Sequence, residues 1–580
     1  MNQVRHMNHT PTTFTPRAPL LAAAVAAALA GCSPVRVAPN AEAPTSAGAT
    51  HAPSAAQPST QASAATACPA LAQQALPGVR ITEASLVAAG SQRAQEPGSN
   101  RAVGEPLPEH CLLRGRIDER VGADGQPYHT GFELRLPSAF NGRFVYQGGG
   151  GNDGVVFNAV GRNTGAAGWA DNALSRGFAA VSTDAGHQSP APTFGLDPQA
   201  RVEHAWRAHQ RTALTARALL AAYYGRAADK HYFVGCSGGG RQGMMFSQRF
   251  PELFDGVIAV APAMRVAQGA TIAAAWTVQQ FMAVAPAGAD GQPVLARALS
   301  DAQLQRVARE VTARCDANDG LADGLVQDAL ACRIDTTALQ CPAGVAAGSD
   351  GCLQPAQASA LAAVMAGPRN SRGALYFGWP WDAGIADAGW RNWTLGTAQQ
   401  GAPNARHITL MAGALGHEFA TPPDPRLSTT NFDFERDPAR LAAFHAVYDT
   451  ADDVALAGFR QRGGKLMFFH GTADPIFSAH ELVDYQQRLN AAHGAAASAQ
   501  FARSFLVPGM GHCAGGPATD RFDGLDALVR WVEQGQAPER VLASGSGAVP
   551  ASISRPLCPW PKQARYDGGD TASAASFSCR

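Results

Sequence analysis

A serine sits within Val234-Gly235-Cys236-Ser237-Gly238-Gly239, between an apolar run, His231-Tyr232-Phe233-Val234, and a helix-like stretch over residues 241–246. A serine hydroxyl is a poor nucleophile at neutral pH and needs an adjacent base, itself oriented by a carboxylate. Two downstream loops supply those groups. His470-Gly471-Thr472-Ala473-Asp474-Pro475 follows a strand-like stretch at 465–469, and Pro508-Gly509-Met510-Gly511-His512-Cys513 follows another at 503–507. With Ser237 as nucleophile, His512 as base and Asp474 as orienting acid, the three could perform acyl transfer. Asp484 lies too deep in the helix that follows to take the acid's place, and His470, Asp184 and His187 come too early in the chain for these roles.

A chain with 61 glycines meets a Gly-x-Ser-x-Gly pattern easily, so its setting decides its meaning. Between a strand and a helix it is the nucleophile elbow of the α/β-hydrolase fold, a turn so tight that side chains two residues either side would collide with the serine. The surrounding elements agree. Strand signals at 143–147, 177–184, 231–234 and 255–260 alternate with an Ala/Leu-rich helix at 209–224, which predicts a mostly parallel sheet with helices on both faces. The rhythm breaks after about residue 263. Residues 263–455 carry helical segments, four cysteines and an aromatic cluster, and read as a lid domain inserted into the catalytic domain of residues 68–262 and 456–580. A closing helix is expected over 522–534. The oxyanion hole should pair the Gly238 N–H with one from the glycines at 148–151, here assigned to Gly150.

The 580 residues carry 46 basic and 46 acidic side chains, so no electrostatic partner such as nucleic acid is indicated. The N-terminus reads as an address: a mildly basic start, a short apolar run at 20–30, and Leu29-Ala30-Gly31-Cys32, which resembles a bacterial lipobox. Residues 1–31 are then a leader and Cys32 the lipidated first residue. Ser33 in place of aspartate points to an outer-membrane anchor, and ordinary secretory cleavage in the alanine run stays open. Residues 32–67, rich in Ala, Pro, Ser and Thr, cannot build a core and read as a disordered tether. Setting Cys32 aside leaves ten of the 11 cysteines, an even set that in an exported chain reads as disulfides. No Cys-x-x-Cys pair suggests zinc.

The Cys-Ser…Asp…His-Cys arrangement resembles the tannase/feruloyl esterase family from about Cys68 to the C-terminus, with the C-terminal third most similar to the branch that hydrolyses terephthalate monoesters. The family hallmark implies a Cys236–Cys513 disulfide beside serine and histidine. Closing so long a loop should stabilise by about 4–5 kcal/mol in the chain-entropy model. Residues 315–325, Cys-Asp-Ala-Asn-Asp-Gly-Leu-Ala-Asp-Gly-Leu, offer oxygen ligands that suit Ca²⁺, though the spacing is not that of an EF-hand. The resemblance implies Asp316, Asp319 and Asp323 as side-chain ligands, Leu321 and Leu325 as carbonyl ligands, and a Cys315–Cys332 bridge. The calcium would be structural, and no organic cofactor is expected. Partners for Cys68, Cys111, Cys341, Cys352, Cys558 and Cys579 stay open.

The resemblance places substrate at Trp393, a flat wall for an aromatic acyl group, at Arg406, a clamp for a carboxylate, and at Phe477, His470 and Leu410. Two departures stand out: Leu410 replaces a phenylalanine of the terephthalate branch, and Gly238 replaces a glutamate. The expected activity is an exported, monomeric serine carboxylesterase acting on small aromatic acid esters. Terephthalate monoesters come first, with galloyl or feruloyl esters as the alternative. A catalytically silent, calcium-stabilised binding lipoprotein and a serine peptidase are the competing classes. The intact Ser, Asp and His argue against the first, and the lack of any peptide-binding domain argues against the second.

Overall fold

A computed structural model describes residues 64–96, 101–345 and 351–580, all within a compact unit spanning residues 61–580. The leader, Cys32 and most of the tether lie outside the described residues. Residues 64–67, expected as tether, are instead the first turn of a short helix, Ala64–Ala70. The Cys68–Cys111 disulfide explains the difference, because it pins that helix onto the sheet and buries Cys68 completely.

Nine strands build one sheet. Three antiparallel strands come first: β1 (Val79–Val87), β2 (His110–Val121) and β3 (Pro127–Pro137). Six follow in the α/β rhythm: β4 (Arg143–Gln147), β5 (Ala179–Thr183), β6 (Lys230–Cys236), β7 (Gly256–Val260), β8 (Lys465–Gly471) and β9 (Ala502–Val507). The order across the sheet is β1-β2-β3-β5-β4-β6-β7-β8-β9, and the pairs from β5 to β9 are all parallel. This is an α/β-hydrolase sheet with the expected strands in place.

Both faces are covered, as the uninterrupted apolar runs require. Along β4, Phe144 and Tyr146 enter one apolar cluster and Val145 the other. Helix α1 (Ala208–Tyr224) and the elbow helix α2 (Gly238–Arg249) contribute Leu219, Leu220, Met244 and Phe246 to the first cluster. The closing helix α3 (Gly524–Gln534) places Leu525, Leu528 and Trp531, at spacings of three, against the second.

Apart from one short hairpin, the regular structure described within residues 263–455 is helical, and it holds an apolar cluster around Phe281, Leu304, Val307 and Leu361. Three further disulfides are Cys315–Cys332, Cys341–Cys352 and Cys558–Cys579. No helix of the described residues is long and apolar enough to cross a membrane.

Candidate active site

Four loops leave the same end of the parallel strands and meet. Pairing of Gln147 with Val234 sets the loop after β4 beside the elbow, and pairing of Gly471 with Val507 sets the loops after β8 and β9 side by side.

Ser237 sits at φ +62°, ψ −125°, a conformation that costs a non-glycine residue on the order of 1–3 kcal/mol. The neighbouring glycines make it possible. A Cβ on Gly235 would lie 2.5 Å from the Gly239 backbone, and one on Gly239 would lie 2.6 Å from the Gly149 carbonyl. The Ser237 carbonyl accepts the N–H groups of Arg241 and Ala263, which locks the bend to α2 and to the segment after β7.

His512 Nδ1 lies 2.8 Å from Asp474 Oδ2, so this nitrogen donates to the carboxylate and Nε2 is left as the base. Asp474 Oδ1 accepts the N–H groups of Ile476 and Phe477 at 2.9 and 3.2 Å. Burial alone would raise the Asp474 pKa. The charge and hydrogen bond of His512, the nearby His470 and the Ile476 N–H outweigh it and hold the carboxyl below its ordinary value. The rings of Trp393 and Phe477 flank His512 edge-on, at 5.5 and 5.3 Å. The Cys236–Cys513 disulfide, with Cα atoms 6.0 Å apart, joins the residue before Ser237 to the residue after His512.

Ser237, His512 and the glycines 148–151 line one cavity of about 440 Å³. Its wall includes Trp393, Arg406, Leu410 and Phe477, four of the five residues expected to meet substrate. The Arg406 guanidinium lies 4.4 Å over the Trp393 ring, and no carboxylate pairs with it among the described residues. His470 departs from expectation. It is fully buried behind the acid, with Nε2 at 2.9 Å from the Phe477 carbonyl and 3.7 Å from Asp474 Oδ2, and it does not reach the cavity wall.

Gly150 also departs. Its N–H is donated to Asp153 Oδ1 at 2.8 Å, so it is unavailable to an oxyanion. The Gly148 N–H goes to the Val234 carbonyl and the Gly149 N–H to Gln242 Oε1. That leaves Gly151, in the left-handed region at φ +62° and on the cavity wall, as the one N–H of the four without a partner among the described residues. Sequence reasoning did not find Asp153, whose Oδ2 accepts the Gln242 amide at 2.9 Å. Its signal was its place next to a glycine run.

The acidic loop is ordered by its own backbone: Leu321 N–H to Asp319, Gly324 N–H to Asp316, Leu325 N–H to Asp323. Asp316 Oδ1 and Asp319 Oδ2 are buried without hydrogen-bond partners. Burial, opposed by the Leu321 N–H and reinforced by Asp323 and Asp316, pushes Asp319 up to about 6. Two orphaned anionic oxygens in one loop suit a hard cation. Asp323 is engaged by Arg555, and no three acidic, histidine or cysteine side chains converge into a preformed metal cluster among the described residues.

A family model described as tannase and feruloyl esterase matches residues 117–580. The chain is 42% identical over 561 residues to mono(2-hydroxyethyl) terephthalate hydrolase of Piscinibacter sakaiensis, covering 88% of this chain and 91% of that protein. It is 28% identical to a probable feruloyl esterase B-2 of Aspergillus terreus, covering 87% and 93%. Among solved structures, feruloyl esterase B from Aspergillus oryzae superposes with a TM-score of 0.74 at 24% identity, over 89% of this chain and all of that one, a likeness of fold.

Proposed function

Because this chain belongs to the tannase and feruloyl esterase family and is a carboxylic ester hydrolase, we propose that it cleaves esters of aromatic acids through an acyl-enzyme on Ser237. The observation that carries this reading is the 2.8 Å bond between His512 Nδ1 and Asp474, with Ser237 in the same cavity. His512 Nε2 takes the Ser237 proton as Oγ attacks the ester carbonyl. The N–H groups of Gly238 and Gly151 receive the oxyanion, each such donor supplying about 3–4 kcal/mol to the transition state. His512 then protonates the departing alkoxide, and water, activated by the same imidazole, releases the acid.

Arg406 stacked on Trp393 suits an acyl ring that bears a carboxylate, and the similarity to the Piscinibacter sakaiensis enzyme favours a terephthalate monoester. The residues Gly238 and Leu410 favour a second reading. Both are smaller than the glutamate and phenylalanine expected there from the terephthalate branch, leaving room for the longer feruloyl group or the broader, trihydroxylated galloyl ring. Side-by-side turnover of mono(2-hydroxyethyl) terephthalate, ethyl ferulate and a gallate ester, with Ser237→Ala as control, tests both.

The orphaned oxygens of Asp316 and Asp319 support a structural calcium site completed by Asp323 and the carbonyls of Leu321 and Leu325. When bound, the ion would neutralise that loop and supply no chemistry to Ser237. Five disulfides are compatible with an exported protein, and anchorage through Cys32 is the proposed form of export.

A further inference from the structure

The catalytic reading gives no role to four residues on the cavity wall, Glu96, Phe157, Arg162 and Trp169. Phe157 and Trp169 meet edge-to-face with centroids 6.3 Å apart, and the Arg162 guanidinium lies 5.4 Å over the Trp169 ring. This repeats the pairing of Arg406 and Trp393, so one cavity holds two guanidiniums, each resting on an indole.

Arg162 is rooted beside the elbow. Its backbone N–H is held at 2.9 Å by the side chain of Gln147, the last residue of β4, directly before the glycine loop. Its Nε is buried without a hydrogen-bond partner. The side chain makes no ion pair or hydrogen bond among the described residues, so the terminal nitrogens of a guanidinium on the cavity wall are left for an acceptor that the chain does not supply. Burial pushes the Arg162 guanidinium below its ordinary pKa, and the nearby charge of Glu96 opposes that shift.

An ester held with its carbonyl carbon at Ser237 extends two ways. If the acyl ring lies along Trp393 and Phe477, the alkoxy part is left to meet the rest of the wall, where this cluster stands. We propose that Glu96, Phe157, Arg162 and Trp169 form a subsite for the alcohol part of the ester, and that the preferred alcohol carries its own carboxylate, bound by Arg162 against Trp169. The proposal rests on Ser237 being the nucleophile.

The test compares two esters with one acyl group, ethyl ferulate and carboxymethyl ferulate, in wild type, Arg162→Met and Trp169→Leu. The quantity read is the ratio of kcat/KM for the charged ester to that for the neutral one. Dividing the wild-type ratio by the variant ratio removes the intrinsic difference in leaving group. A charge-assisted hydrogen bond predicts a fall of about tenfold or more in Arg162→Met, chiefly through KM, and a smaller fall in the same direction in Trp169→Leu. An unchanged ratio in Arg162→Met overturns the subsite. If that variant melts well below wild type, Trp169→Leu decides by the same criterion. Failure of wild type to hydrolyse either ester, with no loss in Ser237→Ala on any ester, would instead defeat the esterase mechanism itself.

Discussion

Gln242 bridges the nucleophile helix to the oxyanion loop: its amide nitrogen donates to Asp153 Oδ2 at 2.9 Å while its oxygen accepts the Gly149 N–H at 3.1 Å. Asp153 in turn holds the Gly150 N–H. This clamp ties the loop carrying Gly151 to α2, whose first residue, Gly238, supplies the other oxyanion donor.

Gln242→Leu should therefore act on the transition state more than on binding. It leaves two partners, the half-buried Gly149 N–H and the buried Asp153 Oδ2, unsatisfied and lets the loop drift. We expect kcat to fall about 10–100-fold, with KM changed less than about threefold. Steady-state kinetics with the preferred ester checks it. A fall confined to KM would assign Gln242 to substrate binding instead.

The Cys236–Cys513 bridge spans 277 positions and fixes the approach of His512 to Ser237. The double variant Cys236→Ala/Cys513→Ala should lose about 2–5 kcal/mol in denaturant unfolding and lose kcat along with it. Full activity in a folded double variant would show that the loop after β9 positions His512 without the bond.

Arg406→Ala should discriminate between substrates. Turnover of an ester whose acyl ring bears a carboxylate should fall about tenfold or more relative to a neutral aromatic ester. Equal losses on both would remove Arg406 as a carboxylate clamp and reduce it to support for Trp393.

Glu481, buried beside Tyr376, sets a pH dependence of stability. Burial pushes its carboxyl up to about 8, against the Tyr376 hydrogen bond and the charge of Arg265. The native state keeps this proton up to about pH 8, whereas the unfolded chain releases it near 4.5. The unfolded state therefore binds fewer protons across that window, and stability falls as pH rises, by about 1.4 kcal/mol per unit at most. Urea unfolding between pH 5 and 8 should show a steeper decline in wild type than in Glu481→Gln.

Chelation addresses the acidic loop. EGTA should lower the Tm by several degrees, and added Ca²⁺ should restore it. Asp319→Asn should abolish the response, and an unchanged Tm in wild type would remove calcium from the account.

The parts of the site legible in the sequence were those tied to chain order and strand ends. Ser237, Asp474 and His512 each follow an apolar run, and parallel pairing carries such loops to one end of the sheet. The antiparallel strands β1 to β3 went unread, although inward Leu113, Gly115 and Ile117 of β2 alternate with outward Arg114 and Arg116. Gly150 and Gly151 could not be told apart in a run of four glycines. The carboxylate of Asp153 distinguishes them, and its reach is a property of the folded loop. His470 shares a loop with Asp474, yet it is the last residue but one of β8 and its side chain turns into the core, which spacing alone does not reveal. Trp169 and Arg162 stand well before the elbow, and only the fold of the segment after β4 brings them to the cavity.

Acyl transfer through Ser237 is tested most directly by acid-quenched intact-mass and peptide mass spectrometry during turnover of a slow aromatic ester. The account predicts a mass increase equal to the acyl group, located on the peptide holding Ser237 and absent in Ser237→Ala, which should also lose at least about 10³-fold in kcat. Undiminished hydrolysis by Ser237→Ala, or an acyl adduct on another residue, would contradict it.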